Sequence, residues 1–357
     1  MPIEKDNSAE SIGRDWVQRE GATNWEENRM RKSLKAAVAA VAVGAFALSF
    51  AATAHAEGKV RIALGDVASV ETLSFLVALE RAKERGLDYE LTAFAKEELA
   101  IQTIISGQMD VGIGTPYAVI QKSKAPIRNF FQLSRLVFYP VAEKRYTSWA
   151  DMSGEPITLH SRGGGTDAIA SIIEKREGIK FGPRSYVPGS ENRIILMMKG
   201  QVDASIVDLS NKNILMDKAG DKFAILPMFE VLASDEVLFA NQNWIDDNPE
   251  TVAILVESLL EVWRDMTADP TIVDRDRVKY NLLADLPPEL LSDVDGYYAE
   301  AVDGGLFDRS GGGEAAALAD FEFYSEAGQL TGAIDSLKIE DFWDLRPLDA
   351  AIAKAGG

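Results

Sequence analysis

The sequence predicts an α/β protein composed of two similar lobes, and three observations support this prediction. Short runs rich in β-branched residues alternate with stretches of helical periodicity from residue 57 onward, which is typical of a sheet flanked by helices. A unit of helix, Gly, Gln, any residue, Asp and strand occurs twice, at Gly107 and at Gly200. Each unit follows another strand that runs into a glycine turn and a helix. A repeat of roughly 90 residues is too long for a solenoid and favours two lobes.

The first copy begins with a strand at residues 59–64, which ends at Gly65. A helix with one apolar face follows and stops at Gly86. The next helix closes at Gly107, and a strand at residues 110–114 comes directly after it. This order of elements is that of a parallel α/β unit.

The second copy has the same order. A strand at residues 157–159 runs into a glycine-rich turn and a helix. A further helix closes at Gly200 and leads into a strand at residues 203–207. The sequence therefore predicts a second sheet built like the first.

The remainder of the chain is strongly helical. Asn248 is a candidate cap, and Pro249 takes the first helical position, where its missing N–H has no cost. Further helical stretches cover residues 287–298 and 315–327, and we expect all of these helices to pack on the first lobe. The glycines at 311–313 predict a turn, since no strand leads into them as it would into a phosphate loop. The apolar face of the helix after Pro249 consists of Val252, Leu255, Val256, Leu259, Leu260 and Trp263.

Residues 30–56 have the pattern of a secretory signal peptide. Basic residues follow Met30, a nearly uncharged run spans residues 36–54, and Ala-His-Ala ends at Ala56. We expect cleavage after Ala56 and a periplasmic mature chain. Residues 1–29 are then an over-long start of the reading frame. The alternative is a membrane anchor, because the run approaches the roughly 20 apolar residues of a spanning helix.

Composition excludes several classes of function. The formal net charge of −19 argues against nucleic acid or an anionic membrane as a partner. The sequence contains no cysteine, which removes disulfides, thiolate metal sites and a cysteine nucleophile. After cleavage His160 is the sole histidine, so a histidine metal centre and a serine–histidine hydrolase are both disfavoured. We therefore expect no metal, no cofactor and no catalytic residues.

Several motifs occur in an order that resembles a known family, the type II periplasmic-binding proteins of the group named for nitrate, sulfonate, taurine and thiamine-precursor uptake. The resemblance spans roughly residues 59–265. The segments that carry it are residues 101–115, Ser-Trp-Ala-Asp-Met-Ser-Gly at 148–154, Gly-Gly-Gly-Thr at 163–166, residues 199–207 and residues 244–262.

The resemblance implies a type II two-lobed fold in which each lobe is a mixed sheet flanked by helices. Two crossing strands near residues 137–144 and 232–240 would join the lobes. Residues 57–147 and 234–357 would then form the first lobe, and residues 148–233 an inserted second lobe.

The resemblance also implies a function. The chain would be the extracytoplasmic substrate-binding component of an ABC-type uptake transporter, a monomer that works with permease and ATPase subunits and binds a small organic anion or zwitterion. One alternative is an enzyme on the same fold, similar to the pyrimidine-precursor synthases, although these depend on a cysteine-rich motif. A ligand-sensing domain that serves a receptor is another.

A glycine-rich helix start in the second lobe is the main candidate for the ligand site. Gly163, Gly164, Gly165 and Thr166 follow a strand and open a helix, so their free N–H groups favour an anion. The equivalent loop of the family commonly holds a sulfonate or carboxylate. The alternative is a tight turn in which Thr166 or Asp167 caps the helix.

The first lobe should supply the loops that follow its strands. Asp66 and Thr115 lie at the carboxyl ends of two predicted strands, where open α/β sheets bind ligands. Tyr117 either contacts the ligand or is a half-buried core aromatic.

Charged residues of the second lobe are further candidates. Asp208 and Glu191 would suit an amine, or they are a loop acid and a helix cap. Arg162 and Arg193 would bind a carboxylate, or they form surface ion pairs. His160 lies among apolar neighbours, which favours a structural role over a ligand contact or a catalytic base.

Overall fold

A computed structural model describes residues 58–94, 96–286, 288, 291 and 293–356. The predicted extension at residues 1–29 and the predicted signal peptide at residues 30–56 lie outside the described residues. Among the helices that are described, none combines the length and the apolarity that crossing a membrane requires.

Five strands form the first sheet, in the order β2-β1-β3-β10-β4. Strands β1, β2 and β3 are parallel, and β10 is antiparallel to both β3 and β4. The strands are β1 (Val60–Leu64), β2 (Tyr89–Ala93), β3 (Val111–Gly114), β4 (Ile127–Arg135) and β10 (Ser234–Asn241).

The second sheet also has five strands, in the order β7-β6-β8-β5-β9. Its first three strands are parallel, and β5 is antiparallel to its neighbours β8 and β9. The strands are β5 (Tyr139–Glu143), β6 (Ile157–Leu159), β7 (Arg184–Tyr186), β8 (Ala204–Val207) and β9 (Phe223–Ile225).

The two sheets share one topology, which confirms the predicted duplication. In each sheet three parallel strands come from consecutive strand–helix units, because parallel neighbours need a crossover connection. The antiparallel fourth strand comes from elsewhere in the chain: β10 returns to the first sheet from the second lobe, and β5 enters the second sheet from the first. Each lobe is thus a mixed sheet flanked by helices, as expected.

The connections between the lobes lie at residues 136–138 and 226–233. The sequence predicted that the inserted lobe begins at residue 148, with β5 as part of a crossing strand. In the structure β5 pairs with β8 and β9, so residues 139–143 belong to the second sheet. Strand pairing over long sequence separations decided this boundary, and local sequence carries little of that information.

Helices cover both sheets. Helices α4 to α6 belong to the second lobe, and the others belong to the first. Short 3₁₀ turns occur at Trp149–Met152 and Ile334–Ser336. The helices are α1 (Leu73–Glu84), α2 (Glu97–Ile105), α3 (Tyr117–Ser123), α4 (Gly165–Glu177), α5 (Ser190–Met198), α6 (Leu209–Ala219), α7 (Gln242–Asp247), α8 (Pro249–Ala268), α9 (Ile272–Tyr280), α10 (Val294–Asp303), α11 (Gly313–Glu326), α12 (Ile339–Phe342) and α13 (Arg346–Lys354).

Helix α8 begins at the predicted position, with Asn248 at the N-cap and Pro249 in the first turn, but the Asn248 side chain does not cap it and donates instead to the Trp244 carbonyl at 2.8 Å. Its apolar face packs on α1 in the core of the first lobe. Trp263 is buried there, meets Phe131 edge to face at 5.6 Å, and donates a hydrogen bond from Nε1 to the Leu133 carbonyl at 3.1 Å. The later helices α10 and α11 pack on the first lobe but also contact α6 and α4 of the second lobe.

Candidate ligand-binding cleft

A cavity of about 40 Å³ lies between the two lobes, and we call it the cleft. The volume has room for about one water molecule, so this arrangement of the lobes admits a very small guest. The first lobe contributes Gly65, Asp66, Glu71, Glu97, Gly114, Thr115, Asp235 and Glu236, the second contributes His160, Gly165, Thr166, Ser190 and Arg193, and Phe138 comes from the first connection.

The topology explains why these residues meet. Strands β1, β3 and β6 end at the cleft, where Asp66, Thr115 and His160 follow them closely. Loops at the carboxyl ends of parallel strands are the usual ligand contacts of open α/β sheets. Because the sheets have the same topology, both present this edge to the same cavity.

Carboxyl groups dominate the wall of the cleft. Burial raises the pKa of Asp66. Burial, reinforced by repulsion from neighbouring carboxylates, holds the pKa of Glu71, Asp235 and Glu236 well above the ordinary range. A wall of this kind favours a positively charged guest, which would stabilise the ionised carboxylates. The carboxyl groups that line the cleft belong to Asp66, Glu71, Glu97, Asp235 and Glu236.

Arg193 is a fully buried cation at the cleft. Its guanidinium donates to the Val187 carbonyl at 2.9 Å, the Ser190 hydroxyl at 2.7 Å and the Ile206 carbonyl at 3.1 Å. Burial lowers its pKa, against the opposing effect of Asp66. Within the described residues its Nε has no hydrogen-bond partner. Most of this side chain therefore ties the second lobe together, and Nε is the guanidinium nitrogen left without a partner.

His160 is the other basic group in the cleft wall. Its Nδ1 lies 3.7 Å from an Asp66 carboxylate oxygen on the opposite lobe and accepts a hydrogen bond from the Gly189 N–H at 3.4 Å. Its backbone N–H donates to the Thr166 hydroxyl at 3.0 Å. The hydrogen bonds of His160 to Thr166 and Gly189 agree with the structural role that the sequence favoured. The side chain also lies at the contact between the lobes.

Protein groups already engage the glycine-rich turn that the sequence singled out. The Gly163 N–H donates to the Asp167 carboxylate at 3.0 Å, as in the capping alternative. The Ser161 hydroxyl donates to the Glu97 carboxylate at 2.7 Å. Gly165 and Thr166 line the cleft, whereas Gly163 and Gly164 lie outside its wall.

Other predicted contact residues lie away from the cleft wall. Tyr117 is wholly buried in the core, where its hydroxyl donates to the Asp320 carboxylate, so the core-aromatic alternative describes it. Arg162 is exposed and stacks over the Tyr186 ring at 5.0 Å. An arginine paired with an aromatic ring at the surface is not aimed at the cavity.

The two predicted acids of the second lobe lie just behind the cleft wall. Asp208 caps α6 by accepting a hydrogen bond from the Asn211 N–H at 2.9 Å. Burial raises the pKa of Glu191 to about 7, and the charges of Asp66 and Asp208 add to this. Both acids therefore add to the negative field of the cleft without lining it.

Sequence reasoning missed four of the acids in the cleft wall. Asp235 and Glu236 lie in the predicted second crossing, where two adjacent acids in a strand were an available signal. Consecutive side chains of a regular strand point to opposite faces, yet both of these line the cleft. The register of β10 against β4 is irregular at Glu236, and such an irregularity re-aims side chains. Glu71 and Glu97 carry no motif that would have marked them.

Among the described residues no group of three or more histidines, cysteines or acids is arranged to hold a metal ion.

Comparison with models of protein families identifies the family to which this chain belongs. Residues 72–272, which run through both lobes, match the model described as NMT1/THI5 like. The chain belongs to the NMT1/THI5-like family. This confirms the resemblance drawn from the sequence motifs. A comparison with curated protein sequences gives no match.

Solved structures share the fold of this NMT1/THI5-like chain. A protein from Bordetella bronchiseptica RB50 has a TM-score of 0.69 at 18% identity, over 84% of this chain and 98% of that one. The periplasmic nitrate-binding protein NrtA from Synechocystis PCC 6803 has a TM-score of 0.64 at 12% identity, over 84% and 90%. A putative periplasmic sulfonate-binding protein SsuA from Methylobacillus flagellatus KT has a TM-score of 0.53 at 19% identity, over 83% and 94%. At these identities the likeness shows a common two-lobed fold.

Proposed function

We propose that this protein is the extracytoplasmic solute-binding subunit of an ABC-type uptake transporter and captures a small molecule in the cleft. Membership of the NMT1/THI5-like family and the shared fold with periplasmic binding proteins support the proposal. The observation that carries it is the cavity between two lobes joined only through residues 136–138 and 226–233. Two short connections suit lobes that close around a ligand.

Part of the contact between the lobes consists of partly exposed ion pairs and hydrogen bonds. Lys212 and Asn213 on α6 contact the Glu300 carboxylate on α10 at 3.1 and 2.7 Å. Arg176 on α4 binds the Glu326 carboxylate on α11 through two hydrogen bonds of 2.8 and 2.6 Å. Exposed ion pairs of this type contribute on the order of 0–1 kcal/mol each, so these two contacts oppose opening only weakly.

We further propose that the ligand carries a positively charged nitrogen group. The sequence favoured an organic anion at the glycine-rich turn, but Glu97 already accepts the Ser161 hydroxyl there. The carboxyl groups of the wall outnumber its two basic groups, Arg193 and His160. Phe138 adds an aromatic ring to the wall, and aromatic rings can attract cations. The free Nε of Arg193 leaves room for a zwitterion whose carboxylate faces the second lobe.

Screening small compounds against the purified protein tests this ligand class. We expect ammonium, guanidinium and amidinium compounds to raise the Tm, and carboxylates and sulfonates to leave it unchanged at equal ionic strength. A ligand present at 100 times its Kd stabilises the folded state by about 2.7 kcal/mol. Mass spectrometry of the ligand released from the protein should find it chemically unchanged, as a binding protein requires. A shift produced only by organic anions would overturn the ligand class.

The pH dependence of that binding provides a control. Carboxyl groups with raised pKa values hold protons that a bound cation must displace, so acid competes with the ligand. We expect the affinity to weaken as the pH falls and these groups take up protons, and protonation of Glu191 beside the cleft, whose pKa burial raises to about 7, to add to that loss. An affinity that strengthens on acidification would contradict a cationic ligand.

We also propose that the protein is exported and cleaved after Ala56, on the pattern of residues 30–56. Mass spectrometry of periplasmic material is expected to find Glu57 at the N terminus. An intact N-terminal segment in the cytoplasm would exclude uptake from outside.

A further inference from the structure

We propose that Glu97 is a tethered anion: its carboxylate fills an oxyanion pocket shared by the two lobes and thereby excludes anionic ligands from the cleft. The pocket is defined by Thr115 and Ser161, which donate hydrogen bonds, and by Gly65, Gly114 and Gly164, which surround the carboxylate.

Both carboxylate oxygens of Glu97 are occupied by donors. Oε1 accepts hydrogen bonds from the backbone N–H of Thr115 and from its hydroxyl, the latter at 2.6 Å. Oε2 accepts from the Ser161 hydroxyl of the second lobe at 2.7 Å. Glu97, Thr115 and Ser161 are 7%, 8% and 4% exposed, so these charge-assisted bonds form away from bulk water.

Three glycines from three different parts of the chain leave room for the Glu97 side chain. A Cβ atom at Gly114 would lie 2.7 Å from Oε1, and one at Gly164 would clash with the Ser161 hydroxyl and lie 2.9 Å from Oε2. A Cβ at Gly65 would lie 3.1 Å from the Glu97 Cγ. Any side chain at Gly114 or Gly164 would therefore displace the carboxylate. The pocket has the shape and the donors for one carboxylate group.

The N terminus of α4 adds a favourable field. Helix α4 is 13 residues long and has Gly164 at its N-cap. Glycine has no side chain that could accept a hydrogen bond from the first N–H groups of the helix. The partial positive charge of a helix N terminus attracts an anion. Here the chain itself supplies that anion, from α2 of the other lobe.

A tethered carboxylate competes strongly with a free one. Glu97 is held beside its donors by the chain, so its effective concentration far exceeds that of a dissolved anion. An anion that entered without displacing Glu97 would lie beside a buried carboxylate whose charge repels it. The anion site that the glycine-rich turn predicts is thus present but already occupied. The filled pocket does not depend on the proposed function. Only the role of Glu97 in excluding anionic ligands rests on that function.

Removing the carboxylate and supplying it from solution tests the proposal. In Glu97→Ala the donors of Thr115 and Ser161 lose their acceptor, and acetate should take its place. We expect acetate to raise the Tm of this variant relative to chloride at equal ionic strength, with an affinity at least tenfold higher than for the wild type. The matched control is Glu98→Ala, which removes the neighbouring acid of the same helical turn and should gain no acetate binding.

Further variants separate the possible outcomes. Adding Ser161→Ala to Glu97→Ala should weaken acetate binding again. If Glu97→Ala is recovered folded only with acetate or formate present, and not with chloride, the pocket is equally established. A folded Glu97→Ala that binds acetate no better than the wild type overturns the proposal. If acetate fails to bind Glu97→Ala while the wild type still binds cations, only the pocket proposal is contradicted. If acetate binds Glu97→Ala but the wild type binds no cation, only the proposed ligand class is contradicted.

Discussion

Replacing Arg193 by methionine is expected to destabilise the protein by about 3–5 kcal/mol, the usual cost of leaving a buried charged network without one partner. Methionine fills much of the same volume but donates no hydrogen bond. The carbonyls of Val187 and Ile206 would lose their donor. The buried Asp208 would lose a nearby positive charge. Urea unfolding monitored by circular dichroism measures the change in the free energy of unfolding.

Arg162→Met is the matched control for this substitution. Arg162 is exposed and its guanidinium stacks on the Tyr186 ring, so its loss should cost no more than about 1 kcal/mol. Equal costs for the two variants would show that Arg193 has no special structural role. A small cost for Arg193→Met together with lost ligand binding would instead make Arg193 a ligand contact.

Replacing Asp320 by asparagine is expected to make the free energy of unfolding less dependent on pH. Asp320 is wholly buried on α11, and burial raises its pKa to about 7. Its carboxylate accepts hydrogen bonds from the Ser234 N–H at 2.6 Å, the Ser234 hydroxyl at 3.0 Å and the Tyr117 hydroxyl. Asparagine has nearly the same shape and no charge, so it retains acceptor capacity without the cost of ionisation.

The direction of the pH effect on the free energy of unfolding follows from proton linkage. The folded pKa of Asp320 lies above the unfolded value of about 3.9, so the folded state holds a proton that the unfolded state has released. The stability contributed by the neutral acid is complete below about pH 3.9 and is lost as the pH rises through about 7. Between about pH 5 and pH 8 the wild type should lose about 2–3 kcal/mol relative to Asp320→Asn.

Glu322→Gln provides the comparison, since Glu322 lies on the same helix and is exposed. Urea unfolding at several pH values should give parallel curves for the wild type and Glu322→Gln, and a diverging curve for Asp320→Asn. Parallel curves for all three proteins would mean that Asp320 stays ionised when buried. Because Ser234 begins β10, directly before the cleft acids Asp235 and Glu236, this carboxyl also holds the second connection in place.

The sequence by itself determined the fold class and the duplication. Alternating apolar patterns specify strands and helices locally, and the glycines at Gly107 and Gly200 end helices in a left-handed conformation that other residues avoid. The start of α8 at Asn248 and Pro249 is likewise local. Asp66, Thr115, Gly165 and Thr166 were predicted as ligand contacts because strand ends and helix starts are local features, and all four line the cleft.

Only the tertiary structure decided which charges share the cleft. A register irregularity in β10 turns both Asp235 and Glu236 toward the cavity, and hydrogen bonds to distant partners turn Tyr117 into the core. Glu97 reaches the glycine-rich turn of the other lobe, although 64 positions separate it from Ser161. Contacts at such separations depend on strand register and on how the lobes meet. The local backbone conformation of each partner would be the same without the contact, so the local sequence does not specify it. The glycine-rich turn is thus a local feature of the sequence, whereas the carboxylate of Glu97 beside it is placed there by the tertiary structure.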